Sequence, residues 1–185
     1  MHPARSDEPR PTSSTATTRN TIELVSVSPA NAMTFKTVRL AALRDTPTAF
    51  ASTYAQESQL SDEQWVQRSI ERGSGERSIC YLAMLDGQAR GIAGGYFPDD
   101  GTGPYLVSMW VESGVRRHGI GRRLVDAVFD WARSRGASRL LLDVTTTNDP
   151  AIRFYERLGF RRTGTIKPYP NDTALQECEM SKTIT

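Results

Sequence analysis

Side chains that announce metal or disulfide chemistry are scarce: 185 residues contain 2 cysteines and 2 histidines. Cys80 and Cys178 lie far apart in apolar, strand-like segments, outside any CxxC or Cys/His cluster. Buried free thiols are therefore expected instead of a disulfide, and no metal is expected. A surplus of one charge is also missing, since 23 Lys and Arg face 21 Asp and Glu for a formal net charge of +2. A dedicated DNA binder needs a far larger basic excess to neutralise phosphates, so no nucleic-acid partner is expected. No apolar run approaches the ~18 residues of a membrane span, and the first residues lack the apolar core of a signal peptide. A cytoplasmic location with no membrane partner is the expectation. What is present, 38% hydrophobic and 24% charged residues, is the composition of a soluble globular protein at a length that suits one well-cored domain.

Residues 1–20, MHPARSDEPRPTSSTATTRN, offer only alanines and Met1 as apolar groups, too little to offset chain entropy by burial. A disordered tail is expected there, ahead of a single domain over residues 21–185; Asp7, Glu8 and the lack of an amphipathic stripe weigh against a transit peptide. The alternating, β-branched TIELVSV suits an opening strand. Phe35, Val38, Arg39, Ala42 and Leu43 fall at helical spacing and stop before Pro47, and Ser61 with Gln64 has the form of a capping box ahead of Trp65 and Ile70. Residues 78–85 and 88–97 form two strand-like runs around Asp86-Gly87, a dipeptide that accepts the positive φ angles of a hairpin turn, and 104–111 is a further strand.

From Arg122 a helix follows, with Leu124, Val125, Val128, Phe129, Trp131 and Ala132 at three- and four-residue spacing up to Gly136. RLLLDV, 139–144, is a nearly continuous apolar strand of the kind buried on both faces. Asp149 reads as a cap ahead of Pro150, opening a helix with Ala151, Phe154, Tyr155 and Leu158 inward until Gly159. Strands over 160–167 and 177–183 close the chain. The order implies a mixed α/β sheet with helices on its faces.

RRHGIGRR, 116–123, sits where a strand runs into a helix. Such a turn presents unpaired backbone N–H groups at the positive end of a helix dipole, which suits a phosphate. Glycines at 119 and 121 let an anion approach the backbone, and the arginines add charge. The spacing is neither a P-loop nor a dinucleotide fingerprint, so a pyrophosphate of another kind is indicated.

VESGVRRHGIG, 111–121, resembles motif A of the GNAT superfamily of acyl-CoA-dependent N-acetyltransferases, whose R/Q-x-x-G-x-G/A pattern is met by Arg116, Gly119 and Gly121. NDPAIRFYERLGF, 148–160, is similar to the family's next segment, and RLAALRDTPTAFAS, 39–52, to the first-helix segment of many bacterial members. The resemblance covers residues 21–185 and implies the GNAT fold of the α/β class: a mixed, mostly antiparallel central sheet of about six to seven strands flanked by about four helices. It implies acetyl transfer from acetyl-CoA to a primary amine of a small molecule, peptide or protein, with no acyl-enzyme and no metal. A non-catalytic acyl-CoA-binding or sensing domain is the alternative, and a homodimer is compatible with the resemblance.

By the same likeness, Met109, Trp110 and Val111 lie along the pantetheine arm, with Met109 and Val111 hydrogen-bonding it through their backbone. Arg116, Arg117, His118, Gly119, Ile120, Gly121 and Arg122 surround the pyrophosphate, and Asn148, Ala151 and Tyr155 complete the cofactor contacts. Tyr155 matches a tyrosine that protonates the departing thiolate, although packing alone would also place it on its helix stripe. An alkyl ammonium of pKa near ~10 is only about one part in a thousand neutral at pH 7, so a base is needed. Asp143 stands where relatives that acetylate protein N-termini carry a carboxylate. Tyr105 occupies the place of an earlier carboxylate found in other members, and Glu112 is a third candidate. The likeness puts the acceptor pocket near residues 45–70 and 167–177, where no acceptor-specific pattern is recognisable.

Overall fold

The structure, a computed structural model, describes residues 21–185; the expected N-terminal tail lies outside the described residues. Strand β1 (Ile22–Ser26) leads into helices α1 (Ala32–Asp45), α2 (Tyr54–Glu57) and α3 (Asp62–Gly73). A meander of β2 (Ser78–Leu85), β3 (Gln88–Tyr96) and β4 (Tyr105–Val111) follows. Then come α4 (Ile120–Ser134), β5 (Arg139–Thr145), α5 (Asp149–Arg157), β6 (Arg161–Tyr169) and β7 (Asp172–Thr183). The strands form one sheet in the order β1-β2-β3-β4-β5-β7-β6, antiparallel except where β4 meets β5. That parallel pair needs a crossover, which α4 supplies.

Local chemistry explains most boundaries. Asp86 and Gly87 both take positive φ, 51° and 76°, as the two-residue hairpin requires. Ser61 accepts the Gln64 N–H while the Gln64 side chain accepts the Ser61 N–H, so the capping box forms. Two expectations are corrected and one unexpected element is added. The N-cap of α5 is Asn148, not Asp149: its Oδ1 accepts the Ala151 N–H at 3.2 Å, while Asp149 and Pro150 occupy the first turn. A short α2 fills the stretch after Pro47, started by a second capping box of Thr53 and Gln56. Finally, β7 begins at Asp172 instead of 177, because its polar, exposed first half is specified by pairing with β6 and not by burial.

Two apolar layers cover the sheet. On one face Leu106, Val128, Trp131, Leu140, Leu142, Phe160 and Met180 pack beneath α4 and α5. On the other, Val27, Phe35, Leu43, Trp65, Leu82 and Ile92 pack beneath α1 and α3. Gly95 of β3 allows α4 to dock, since a Cβ there would lie 2.7 Å from the Trp131 ring. Both cysteines are buried and free, as expected.

Two irregularities of β4 shape the site. β4 and β5 pair only at Tyr105 and Leu141, so beyond that point a wedge opens between Leu106–Val111 and Leu142–Thr145. Against β3, the pairs Gly94–Val107 and Ile92–Trp110 set three steps of β4 opposite two of β3. This is a bulge at Ser108, whose φ is +57°.

Candidate active site

The wedge is the mouth of a cavity of about 1470 Å³ lined by Met109 and Val111 of β4, Gly119 and Gly121 of the loop, Asp143 of β5 and Tyr155 of α5. Among the expected site residues, Trp110, Arg116, Arg117, Arg122, Asn148 and Ala151 also line it. His118 and Ile120 do not. The His118 ring is turned back toward the Val115 and Arg116 carbonyls, with Nδ1 3.1 and 3.2 Å away, and the Ile120 side chain is buried in the core. Only their backbone groups belong to the loop.

At one end of the cavity, Arg117 and Gly119 take positive φ, 73° and 82°, on either side of His118. Alternation of this kind turns successive N–H groups inward as an anion-binding nest. Gly119 is the N-cap of α4 and supplies no side-chain acceptor, so the N–H groups of the first turn are left for an external anion. A Cβ at Gly119 would meet nothing within 4 Å, so its positive φ, and not crowding, is what favours glycine there. Arg116, expected at the phosphate, lines the cavity and also braces it: it donates from Nε to the Val111 carbonyl at 2.8 Å and from a terminal nitrogen to Asp45 Oδ2 at 2.7 Å. Trp110 Nε1 donates to the same oxygen at 2.8 Å. That indole bond, opposed by partial burial and helped by Thr46 and Arg116, holds Asp45 below the usual carboxylate range.

At the other end stand the ionisable groups. Tyr155 is buried, which pushes its phenol well above the ordinary value and keeps it protonated. Asp143 projects from β5 on the face opposite Leu142 and Val144. Its Oδ2 accepts from Lys167 Nζ at 2.6 Å, while Oδ1 is buried with no hydrogen-bond partner among the described residues. Burial raises the Asp143 carboxyl, and the opposing Lys167 does not cancel the rise. Register places Glu179 across from Asp143, and Glu177 across from Thr145 and Lys167. Burial and Asp143 raise Glu177 as well. Tyr105 donates its hydroxyl to Glu179 Oε2 at 2.8 Å, so a carboxylate reaches this wall from β7 although the β4 position itself carries none. Glu112 is removed from the candidate bases, because it pairs with Arg90 at 2.5 Å and lies outside the cavity.

A further cluster lies in the cavity wall beneath α1. Arg39 donates from Nε to Glu57 Oε2 at 3.1 Å and from NH2 to Glu57 Oε1 at 3.0 Å, and it also reaches Ser52 Oγ at 2.7 Å and Ser108 Oγ at 3.1 Å. Its guanidinium lies 4.6 Å from the centre of the Phe50 ring. Burial would raise Glu57, but Arg39, with Ser52 and Arg68, outweighs it and holds the carboxyl below its ordinary range. The sequence did carry one signal, an arginine on an apolar helix stripe; its partners, distant in sequence, were not legible.

The sheet order, the parted β4–β5 pair and the uncapped glycine loop define the class as an acetyltransferase-type α/β fold. The chain belongs to the acetyltransferase (GNAT) family, whose sequence profile matches residues 40–160. Human N-acetyltransferase 8 is 34% identical over 94 residues, covering 48% of this chain and 41% of that protein. The [ribosomal protein bS18]-alanine N-acetyltransferase of Escherichia coli K12 is 30% identical over 97 residues, 52% of this chain and 64% of that one. Both are thus matched over less than two thirds of their own length. Among solved structures, PaiA N-acetyltransferase of Thermoplasma acidophilum in complex with coenzyme A superposes with a TM-score of 0.70 at 18% identity, covering 89% of this chain and 99% of that one, which supports the fold.

Proposed function

We propose that the protein transfers the acetyl group of acetyl-CoA to a primary amine by direct attack. The observation that carries this reading is one cavity with an anion nest at Arg117–Arg122 at one end and the Tyr155 phenol and Asp143 carboxylate at the other. In this reading the pyrophosphate rests on the loop N–H groups. The pantetheine amides add to the free edge of β4 at Met109 and Val111, where β5 has parted from it. The coenzyme A named in the Thermoplasma complex supports the same choice of co-substrate.

The chemistry then needs the acceptor nitrogen to lose two protons and the thiolate to gain one. Asp143, directly or through water, takes a proton from the acceptor ammonium, and its burial-raised pKa makes it a better base than a solvated aspartate. The amine nitrogen attacks the thioester carbonyl carbon, the C–S bond breaks, the Tyr155 hydroxyl protonates the leaving thiolate, and the second proton of the attacking nitrogen passes back to the Tyr155 oxygen. The products are the amide and free coenzyme A, with one proton released. Neither cysteine lines the cavity, and burial pushes the Cys80 thiol up to about 12, which favours direct attack over a thiol-borne acyl-enzyme.

In this reading the acceptor enters over the end of the cavity lined by Asp143, Glu177 and Lys167, with Glu179 beside them on the Tyr105 hydroxyl. The cavity as a whole is rich in arginine, but within this group two carboxylates, Asp143 and Glu177, face the one ammonium of Lys167, so an amine bearing a second positive charge is the proposed acceptor class. Thiol release from acetyl-CoA over amines graded in charge tests this. Diamines and polyamines should show the highest kcat/KM, declining with added salt. Tight acetyl-CoA binding without thiol release to any amine would replace catalysis with a sensing role.

A further inference from the structure

The bulge in β4 is held open by a contact from another element. Ser108 has left-handed φ at +57°, a conformation disfavoured for any residue with a Cβ. It is not compensated by a turn of its own. Its Oγ instead accepts from the Arg39 guanidinium at 3.1 Å. That guanidinium is fixed in turn by the two-pronged contact to Glu57 and by Ser52, with Glu57 only 3% exposed. Arg39 thus has one orientation, set by α2 and the preceding loop, and uses a remaining N–H pair to hold Ser108.

The consequence falls on the next residue. At a bulge the alternation of N–H and C=O groups between the two edges of a strand changes phase. Here the change occurs between Val107 and Trp110, immediately before the Met109 backbone reaches the wedge that β5 has left open. We propose that Arg39 is a positioning residue for acetyl transfer: by anchoring Ser108 it fixes the bulge that aims the Met109 backbone at the acyl end of the cofactor. This rests on the acetyl-transfer reading above.

Substitutions at position 108 separate this from its rivals. Ser108→Ala loses the anchor but keeps the Cβ, so the bulge relaxes; Ser108→Gly loses the same hydroxyl yet adopts positive φ without cost. Turnover should fall about tenfold in Ser108→Ala, the scale of a small misplacement of reacting groups, and much less in Ser108→Gly. The acetyl-CoA dissociation constant should change less than about threefold in both. Arg39→Lys keeps a charge for Glu57 but cannot span all three partners, so it should lower turnover in the wild-type background and add little to Ser108→Gly. Equal losses in the Ala and Gly variants would assign the hydroxyl itself a role and overturn the proposal, as would no loss in either. A readout independent of turnover is the backbone amide shift of residues 107–111 on adding coenzyme A. Ser108→Gly should match wild type and Ser108→Ala should not, and identical shifts in all three overturn the proposal even where no acceptor is turned over. Wild-type protein that releases no thiol with any amine counts against acetyl transfer alone.

Discussion

Arg116 and Asp45 are joined at 2.7 Å, which fastens the glycine loop to the C-terminal end of α1. Trp110 Nε1 shares the same carboxylate oxygen, so one aspartate braces β4 and the loop after it together. The pair is partly exposed, so Arg116→Ala should cost only about 1 kcal/mol in denaturant unfolding. It should weaken acetyl-CoA by less than about tenfold in calorimetric titration if, as proposed, the phosphate contacts come from the backbone. A hundredfold loss would return Arg116 to direct phosphate binding.

The glycines should be far less forgiving. Gly119 has φ of +82°, so Gly119→Val is strained by roughly 1–2 kcal/mol and places a branched side chain in the open space proposed for the anion. Gly121→Val meets the Phe154 ring and Met109 Cε, 3.1 and 3.2 Å from even a Cβ. Both variants should stay folded by circular dichroism and lose measurable acetyl-CoA binding. Gly119→Asn, which tolerates left-handed backbone, should recover stability and not affinity.

Tyr155→Phe should lower kcat by about a hundredfold, the low end for a lost general acid, while leaving the acetyl-CoA dissociation constant unchanged. Unchanged kcat on a competent acceptor would leave Tyr155 as a core aromatic beside Phe154 and Phe160.

The Asp143→Asn deficit should shrink as pH rises, because a growing fraction of the acceptor is then already neutral. A deficit independent of pH would give Asp143 a structural role through Lys167.

Acid stability follows from the opposite kind of shift. Glu57 and Asp45 have folded pKa values below their unfolded ones, so their contributions are present above the unfolded values, about 4, and are lost as pH falls through the folded values. Unfolding free energy should therefore drop steeply below about pH 4. Glu57→Gln should be less stable at pH 7 and show a shallower acid limb in denaturant titrations from pH 7 to 2.

Most of this arrangement could be read from residues near one another in the chain. The Asp86-Gly87 turn, the Ser61–Gln64 capping box and the 3.6-residue stripe of α4 are local, and they set the order of most elements and the position of the glycine loop. The cap of α5 falls on Asn148 and not on Asp149, because Asn and Asp satisfy the same N–H and adjacent positions compete for it. What stayed hidden were contacts across long sequence separations: Arg116 with Asp45, Lys167 with Asp143, and Arg39 with Ser108. A charged residue advertises that it needs a partner, not which one. The bulge left no local mark either, since positive φ at Ser108 breaks the usual preference for glycine.

The most direct measurement follows a labelled acetyl group from acetyl-CoA by mass spectrometry in the presence of a polyamine, with free thiol counted in parallel. The account predicts one acetyl group on an amine nitrogen for each thiol released, lost with Gly119→Val and sharply slowed with Tyr155→Phe. Thiol release without acetylated amine, or acetylation that persists in the Gly119 variant, would contradict it.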